Sequence, residues 1–265
     1  WAAHNLSALI PENPKSKVLI FSDEFTNYND TEVGIAVLKL LCALGYEPVL
    51  PKHDVSGRTY LSKGLLRKAK RIAVKNIDFL SEKISPQMPL LGIEPSAILT
   101  FRDEYPDFFK PESPYRKKAE KISQSCFTFE EFMASEIDKG NITKDYFTKE
   151  HKSVKFHGHC YQKALSETDF TKKVLSLPEN YGVEEIPSGC CGMAGAFGFE
   201  KEHYELSQKV GELVLFPEIR KSDKDEIIVA AGTSCRHQIE EGTKRQALHP
   251  AQVLLQALNS QIRNF

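Results

Sequence analysis

The chain has 265 residues, 41 % of them hydrophobic and 27 % charged, with a formal net charge of −1 at pH 7. This balance gives no general reason to expect nucleic acid or an anionic membrane as a partner, and there is no apolar run of about 18 residues that could span a bilayer. Six cysteines are too few for a disulfide scaffold. The first stretch, WAAHNLSALIPENP, has no signal-peptide pattern, and because it begins without Met we expect the chain to be a piece of something longer.

Residues 1–112 predict a first αβ module. An apolar strand, KVLIF, ends in a polar loop and precedes a helix whose apolar stripe includes Cys42, which we interpret as a small buried side chain. A second strand at Glu47–Leu50 leads into a loop with Gly57, then a long helix and a third strand that ends before Ser96. Strands that alternate with helices predict a parallel sheet covered by helices.

Residues 113–152 predict a helical linker between two modules. A polar loop with proline, starting at Arg102, comes before it, and an amphipathic pattern over about Ser113–Lys139 predicts one or two helices. Cys126 lies within this pattern, and we interpret it, like Cys42, as a buried side chain without chemistry of its own.

Residues 153–265 predict a second αβ module with the same order of elements. Its three strands are each followed by a loop with cysteine: Cys160 after the first strand, the adjacent pair Cys190 and Cys191 after the second, and Cys235 after the third. Because the carboxyl ends of parallel strands meet at one edge of a sheet, we expect these loops to converge.

The two modules can be laid on each other, which predicts a duplication. Gly57 falls opposite Gly192, so Val55 and Ser56 fall opposite the cysteine pair, and Ala97 falls opposite Cys235. We therefore expect an α/β fold of two pseudo-duplicated αβ modules with parallel-rich sheets flanked by helices, of which one copy holds a metal and the other has lost its ligands. The alternative is a chance similarity of two αβ patterns.

Four cysteines from three loops are enough to hold an iron–sulfur cluster or a zinc ion. The glycines beside them, Gly189, Gly192 and Gly195, let the backbone approach closely, and a helix predicted from about Ala196 to Leu213 aims its N-terminus at the site. Adjacent cysteines suit two irons of one cluster better than one small ion, because zinc ligands are usually two to four residues apart.

Two other interpretations of the thiols stay open. One is a zinc-binding structural or docking module. The other is a thiol–disulfide redox enzyme, in which His157 or His159 lowers the pKa of the Cys160 thiol.

The remaining polar residues of the loops predict supporting roles. We expect His157, His159 and His237 to lie around the metal ligands rather than to bind the metal. In the first module, His53, Arg58 and Arg102 could form a polar patch, since an arginine at a strand end can hold a carboxylate.

Several stretches resemble a known family. HGHCYQKAL, SGCCGMAGAFGFE, GTSCRHQI and HPAQVL look like the cysteine-rich CCG module of heterodisulfide reductase and of the iron–sulfur subunits of glycolate oxidase and anaerobic glycerol-3-phosphate dehydrogenase. These stretches are most similar in sequence to the C-terminal region of FAD-linked oxidases with fused iron–sulfur domains, whose members look like D-2-hydroxyacid dehydrogenases. SGRTYLSKGLL and GIEPSAILTFRDEYPD match the first, cysteine-depleted module of that group.

The resemblance implies that Cys160, Cys190, Cys191 and Cys235 are cluster ligands. The fullest family pattern ends in Cys-x-x-Cys, but here Cys235 is followed by Arg-His-Gln. This departure favours a four-thiol 4Fe-4S cluster over a five-thiol one. The ferredoxin-type cysteine runs and any FAD-binding segment are absent from the sequence.

From the resemblance we expect the iron–sulfur electron-transfer portion of a flavin-dependent oxidoreductase that oxidises a small 2-hydroxy acid. FAD and ferredoxin-like domains would then lie elsewhere on a longer chain or on another subunit, and the isolated chain would be inactive as a dehydrogenase. Zinc is the alternative occupant of the site. The expected location is the cytoplasm, with peripheral membrane contact only through partners.

Overall fold

The structure, a computed structural model, describes residues 1–262. The chain divides into two compact units, one formed by Trp1–Phe132 with the segment that starts at Ser260, and the other by Met133–Asn259. Each unit contains a four-stranded sheet in which every pairing is parallel. The expected α/β class, with helices beside parallel sheets, is confirmed.

The first unit alternates strands with helices, and the division between the units falls within its last helix. The elements are α1 (Ala2–Asn5), a 3₁₀ helix (Leu6–Ala8), β1 (Lys17–Phe21), α2 (Glu24–Tyr28), α3 (Thr31–Ala43), β2 (Glu47–Val49), α4 (Arg58–Ser62), α5 (Leu66–Leu80), β3 (Leu90–Gly92), α6 (Pro95–Leu99), α7 (Glu104–Asp107), α8 (Pro114–Ser123), β4 (Cys126–Thr128) and α9 (Phe129–Asp138).

The second unit repeats the alternation of strands and helices. Its elements are a 3₁₀ helix (Lys144–Tyr146), β5 (Lys152–His157), α10 (Cys160–Leu165), α11 (Asp169–Leu175), β6 (Tyr181–Glu185), a 3₁₀ helix (Phe197–Phe199), α12 (Tyr204–Leu213), α13 (Leu215–Lys221), β7 (Ile227–Ala230), α14 (Thr233–Thr243), β8 (Ala247–Leu248) and α15 (Pro250–Ala257).

The two sheets have the same strand order. In the first sheet the order is β2-β1-β3-β4, and in the second it is β6-β5-β7-β8. In both sheets the first strand of the unit lies between the second and the third, and a fourth strand forms the edge. The predicted pseudo-duplication is therefore confirmed at the level of topology.

The second sheet is covered by apolar side chains on both faces, as parallel sheets usually are. Ile228 and Ala230 of β7 belong to one core cluster, and Val229 between them belongs to another, because successive side chains of a strand point to opposite faces. The first of these clusters also contains Cys191 and Cys235. These two thiols thus lie where one core layer reaches the end of the sheet.

Each unit has one strand more than the sequence predicts. The strands β4 and β8 are three and two residues long and show no periodicity that could identify them. Because β4 pairs with β3, part of the segment 113–152, predicted as a helical linker, belongs to the first sheet. Helices α8 and α9 lie on either side of this strand.

The helix predicted from about Ala196 begins later than expected. A 3₁₀ turn occupies Phe197–Phe199, and the α-helix starts only at Tyr204. Glu200, which ends this turn, has an extended backbone with φ −82° and ψ 133°, so the turn does not continue into the helix. The predicted contribution of this helix N-terminus to the site therefore does not hold.

No helix within residues 1–262 has the length and apolar character needed to cross a membrane.

Candidate metal centre

The candidate site lies at the carboxyl edge of the second sheet. Strand β5 pairs with β6 on one side and with β7 on the other, so the three strands end at the same edge. Cys160 is the first residue of α10, three residues after β5 ends, and Cys235 lies in the first turn of α14, after β7. Cys190 and Cys191 lie in the loop after β6.

The structure brings two of these loops together with the end of β5. One ring nitrogen of His157 and the sulfurs of Cys191 and Cys235 lie within 4.8 Å of one another, and all three side chains are buried. Cys190 is close enough to Cys191 to affect the pKa of its thiol. A nitrogen and sulfurs at this separation can bind a common metal group without a large movement of the backbone.

The other two cysteines do not belong to this buried group. Cys160 is exposed and Cys190 is half-buried, with its sulfur accepting a hydrogen bond from the backbone N–H of Gly192 at 3.2 Å. Of the four predicted ligands, Cys191 and Cys235 are thus buried and Cys160 and Cys190 are nearer to solvent.

Two glycines allow the loops to approach each other. Gly192 has a φ of 99°, and a Cβ at this position would lie 2.2 Å from the carbonyl oxygen of Ser207. A Cβ on Gly232, in the loop after β7, would lie 2.4 Å from a ring carbon of His159 and 3.4 Å from the sulfur of Cys235. Gly195 has a φ of 68° in the turn that follows. At Gly189, by contrast, an added Cβ would meet nothing within 4 Å, so no close approach requires glycine there.

His157 is the last residue of β5, and its ring is almost completely buried. Its Nδ1 lies 2.7 Å from the hydroxyl oxygen of Ser188. Burial, followed by the positive charges of Lys163 and His159, lowers the pKa of His157 from 6.5 to about 3. The imidazole is thus neutral at physiological pH, which is the form that binds metals.

The other two histidines have different surroundings. His159 is the N-cap of α10: its Nδ1 accepts from the backbone N–H of Tyr161 at 3.1 Å, and the side chain of Gln162 completes a capping box. His237 is exposed on α14. His159 therefore lies near Cys235, since both contact the space beside Gly232, whereas His237 faces solvent.

The thiols of the pair favour the protonated state in the absence of a cation. Contact with Cys191, and then burial, raises the pKa of Cys190 well above its usual range. Contact with Cys190 lowers the pKa of Cys191, but contact with Cys235 and burial raise it, and the net shift is upward. Clustered thiols of this kind lose their protons together only when a positive group compensates the charge, so the donor set fits a metal group.

Two polar residues of the site are not identified by cysteine spacing. Ser188 orients His157, and its carbonyl oxygen accepts from Lys163 Nζ at 2.5 Å. Arg236 is buried beside Cys235 and donates to the carbonyl oxygens of Ala230 and Ala231 at 3.0 and 2.6 Å. Ser188 lies in the same short loop as the cysteine pair, and only this position could have indicated from the sequence that it belongs to the site.

His53, Arg58 and Arg102, which the sequence suggests as a polar patch, each contact carboxylate or backbone oxygens of the first unit. Arg58 pairs with Glu104, and Arg102 pairs with Glu131 and donates to the carbonyl oxygen of Cys126 at 2.9 Å. His53 Nδ1 lies 2.8 Å from the carbonyl oxygen of Asp54. The charges of the arginines are thus balanced by carboxylates within the unit.

Known proteins contain the same sequence pattern. The profile of the cysteine-rich domain CCG matches residues 154–240, which include all four predicted ligands. D-2-hydroxyglutarate dehydrogenase of Escherichia coli (strain K12) is 28 % identical over 96 % of this chain, which covers 24 % of that protein. One subunit of the anaerobic glycerol-3-phosphate dehydrogenase of the same strain is 27 % identical over 92 % of this chain, which covers 60 % of that subunit.

A shorter relative has almost the same extent as this chain. Lactate utilization protein A 2 of Bacillus cereus (strain Q1) is 23 % identical over 92 % of this chain and 99 % of its own length. By contrast, the chain spans about a quarter of the length of the D-2-hydroxyglutarate dehydrogenases it matches. The thiols that follow the strands of the second sheet lie within the part of the chain, residues 154–240, that matches the cysteine-rich CCG domain.

Proposed function

We propose that this chain is the iron–sulfur electron-transfer portion of a flavin-dependent oxidoreductase that oxidises a small 2-hydroxy acid. The observation that carries the proposal is the grouping of Cys191, Cys235 and His157 within 4.8 Å at the carboxyl edge of the second sheet. Two of the relatives named above, a D-2-hydroxyglutarate dehydrogenase and a lactate utilization protein, are named for 2-hydroxy acids, and the third is a subunit of another dehydrogenase, which supports this class of reaction.

In this proposal Cys160, Cys190, Cys191 and Cys235 are thiolate ligands of a 4Fe-4S cluster. Such a cluster, when bound, accepts and donates single electrons. The first turn of α14 holds Cys235, and the amide groups of a helix N-terminus stabilise a thiolate placed there. Arg236 adds a buried positive charge beside the same cysteine.

The exposure of the site suits exchange of electrons with a partner. Cys160 is exposed and Cys190 half-buried, so that one side of the site is near the surface, while Cys191 and Cys235 exclude water from the other. We propose that the partner is a flavoprotein segment, on a longer chain or on another subunit, that carries FAD and oxidises the substrate. A ferredoxin-like segment and a cytoplasmic location belong to the same proposal.

A zinc-binding structural module is the second candidate. The observation that favours it is the mixed donor set, because a histidine nitrogen with cysteine sulfurs is a usual environment for structural zinc. In that case the site would stabilise the fold or a docking surface and would transfer no electrons.

Elemental analysis of the full chain, purified without oxygen, separates the two candidates. The proposal predicts iron and inorganic sulfide in near-equal amounts and visible absorbance that is bleached by a reductant. One zinc per chain, with no colour and no sulfide, would mean that the structural candidate is correct. The chain alone is expected to show no 2-hydroxy acid dehydrogenase activity, because in this proposal the FAD-binding segment lies elsewhere.

A further inference from the structure

The donor group at the sheet edge contains a nitrogen that the cysteine pattern does not include. His157 ends β5, the central strand, and it lies in the same 4.8 Å group as the sulfurs of Cys191 and Cys235. Neither Cys160 nor Cys190 belongs to that group. We propose that His157 is itself a ligand of the metal group, through Nε2, together with Cys191 and Cys235, and that it takes the place of one of the two more exposed thiols, Cys160 or Cys190, among the four ligands. This inference rests on the proposed function only in requiring a metal group at the site.

The hydrogen bonds of His157 leave Nε2 available. Nδ1 is occupied by the hydroxyl oxygen of Ser188 at 2.7 Å. That hydroxyl also lies 3.5 Å from the carbonyl oxygen of Ile186, to which it can donate its own proton. Nδ1–H then donates to Ser188, and Nε2 carries the lone pair. A second hydrogen bond of this kind, which fixes the tautomer, is what histidine ligands of metals usually have.

The first unit provides an internal comparison. Phe21 is the last residue of β1, and His157 is the last residue of β5. Each pairs with the last residue of the neighbouring strand: Phe21 with Gly92 of β3, and His157 with Ala230 of β7. Phe21 is fully buried and packs against Phe101 and His53. The unit without cysteines in its strand-end loops thus has a phenyl ring where the other unit has an imidazole, as expected if the nitrogen is needed only where a metal group is held.

A nitrogen ligand changes the properties of the bound group. An imidazole is neutral and a thiolate is negative, so replacing sulfur by nitrogen makes the group easier to reduce, as in clusters where histidines replace cysteines. We therefore expect a higher reduction potential for the wild-type chain than for a His157→Cys variant that still binds iron and sulfide.

The first experiment uses pulsed electron paramagnetic resonance on the full chain, reconstituted with iron and sulfide and then reduced. Histidine labelled with ¹⁵N distinguishes histidine couplings from those of backbone amides. The inference predicts a strong nitrogen coupling that changes with the label and is lost in His157→Phe. His203→Phe, at a histidine paired with Glu200, is the matched control and keeps the coupling. Phenylalanine is chosen because Phe21 shows that the fold accepts it at this position.

Two results would overturn the inference and leave the proposed function intact. One is a chain with full iron and sulfide content and no histidine coupling. The other is a histidine coupling that persists in His157→Phe. Circular dichroism of each variant shows whether it is folded.

A second experiment uses Co²⁺ alone and does not depend on cluster assembly. Thiolate-to-cobalt absorbance reports binding, and we expect the affinity to fall at least about tenfold in His157→Phe and about tenfold in Ser188→Ala, which loses only the orienting hydroxyl. Equal affinities of wild type and His157→Phe would contradict histidine ligation. A chain that binds neither cobalt nor a cluster would overturn this inference and the proposed function together.

Discussion

At the scale of single residues, burial does not distinguish the cysteines that form the site. Cys42 and Cys126 are as buried as Cys191 and Cys235. The difference lies in position, because Cys42 is inside helix α3 and Cys126 begins β4, whereas the other two follow the carboxyl ends of strands. This difference was visible in the sequence, since glycines surround the second pair and an apolar stripe surrounds Cys42.

We predict that Cys235→Ser and Cys191→Ser each lose most of the bound iron. Each variant removes a buried donor from the group around His157 and leaves too few ligands to hold the metal. Cys42→Ala is the matched control, because it removes a buried thiol far from a strand end. Iron per folded chain after anaerobic reconstitution is the measurement; loss of iron in the control, or retention in both serine variants, would contradict the assignment.

A second residue-scale prediction concerns Gly192. Alanine at this position combines a left-handed φ of 99° with a Cβ only 2.2 Å from the carbonyl oxygen of Ser207. We expect Gly192→Ala to lower the free energy of unfolding by about 2–4 kcal/mol. Gly189→Ala, where the added Cβ meets nothing within 4 Å, should change it by less than about 0.5 kcal/mol. Urea denaturation followed by circular dichroism compares the two variants, and similar losses would show that the backbone of Gly192 is not constrained.

The sequence predicts that cysteine loops converge, but it does not predict how close the ring of His157 lies to Cys191 and Cys235. Cys191 and Cys235 lie together as convergent loops require, and the positive φ of Gly192 agrees with the predicted role of the glycine. His157 was predicted as a neighbour of the ligands, because the direction of its ring depends on Ser188. That contact joins residues 31 positions apart and cannot be read from either local pattern.

At the scale of elements, two helices of the second unit begin with the same device. His159 and Gln162 form a capping box at α10, and His249 and Gln252 form another at α15. In each, a histidine Nδ1 accepts from a backbone N–H of the first turn, at 3.1 Å in both cases. The pattern His-x-x-Gln therefore marks helix starts at the carboxyl edge of this sheet.

We predict that His249→Ala lowers the free energy of unfolding by about 1 kcal/mol, as loss of an N-cap usually does. His249→Asn should retain most of the stability, because asparagine can accept the same hydrogen bond from Ala251. Thermal unfolding of the two variants and the wild type is the measurement. A larger loss in the asparagine variant than in the alanine variant would contradict a capping role.

The first unit shows what replaces the thiols in the duplicated element. Glu24 is the first residue of α2, as Cys160 is of α10, and its carboxylate accepts from the backbone N–H and the hydroxyl of Ser56 at 2.8 Å. Ser56 precedes Gly57, as Cys191 precedes Gly192, and both glycines have positive φ angles. A carboxylate and a serine thus connect the loops in the unit whose strand-end loops contain no cysteine.

Element boundaries were predictable only where periodicity was long enough. The long helix α5 buries Ala69, Ile72, Ala73, Ile77 and Leu80 at helical spacing. The short edge strands β4 and β8 offer no such pattern, and the predicted start of α12 is wrong because a 3₁₀ turn and the extended Glu200 come before the α-helix.

At the scale of the whole molecule, the repeated order of strands and helices is sufficient to predict two parallel sheets. Each unit alternates its first three strands with helices, and this alternation requires crossover connections that place the strands parallel. The strand order itself, with the first strand in the centre, depends on packing between distant segments. The fold class could therefore be predicted, and the position of the edge strands could not.

We also predict that Asp23 and Glu130 contribute stability to the metal-free chain that grows as the pH falls from 8 to 5, whereas the neutral, buried His157 opposes this gain below about pH 6.5. Burial, followed by the charge of Glu94, raises the pKa of Asp23 to about 7, and burial raises that of Glu130 to about 7. Between their unfolded values, near 4, and pH 7 the folded state binds more protons than the unfolded state, so stability is lost as the pH rises. Each group contributes at most about 1.4 kcal/mol per pH unit within this window.

The pH dependence can be assigned with two conservative variants. Asp23→Asn and Glu130→Gln remove one titrating group each, and each variant is expected to lose less stability than the wild type as the pH rises from 5 to 8. Urea denaturation at pH 5, 6, 7 and 8 gives the free energy of unfolding of each protein. Variants whose pH dependence equals that of the wild type would contradict the burial of uncharged carboxyl groups.

The central claim is that folding brings the cysteine loops to one inorganic group at the edge of the second sheet. The most direct measurement is an anomalous difference map, recorded at the iron edge from crystals of the full chain grown without oxygen. The account predicts iron within about 2.3 Å of the sulfurs of Cys191 and Cys235, a usual metal–thiolate distance. Ordered, unoxidised thiols at these positions with iron bound elsewhere, or with no iron after anaerobic reconstitution, would contradict it.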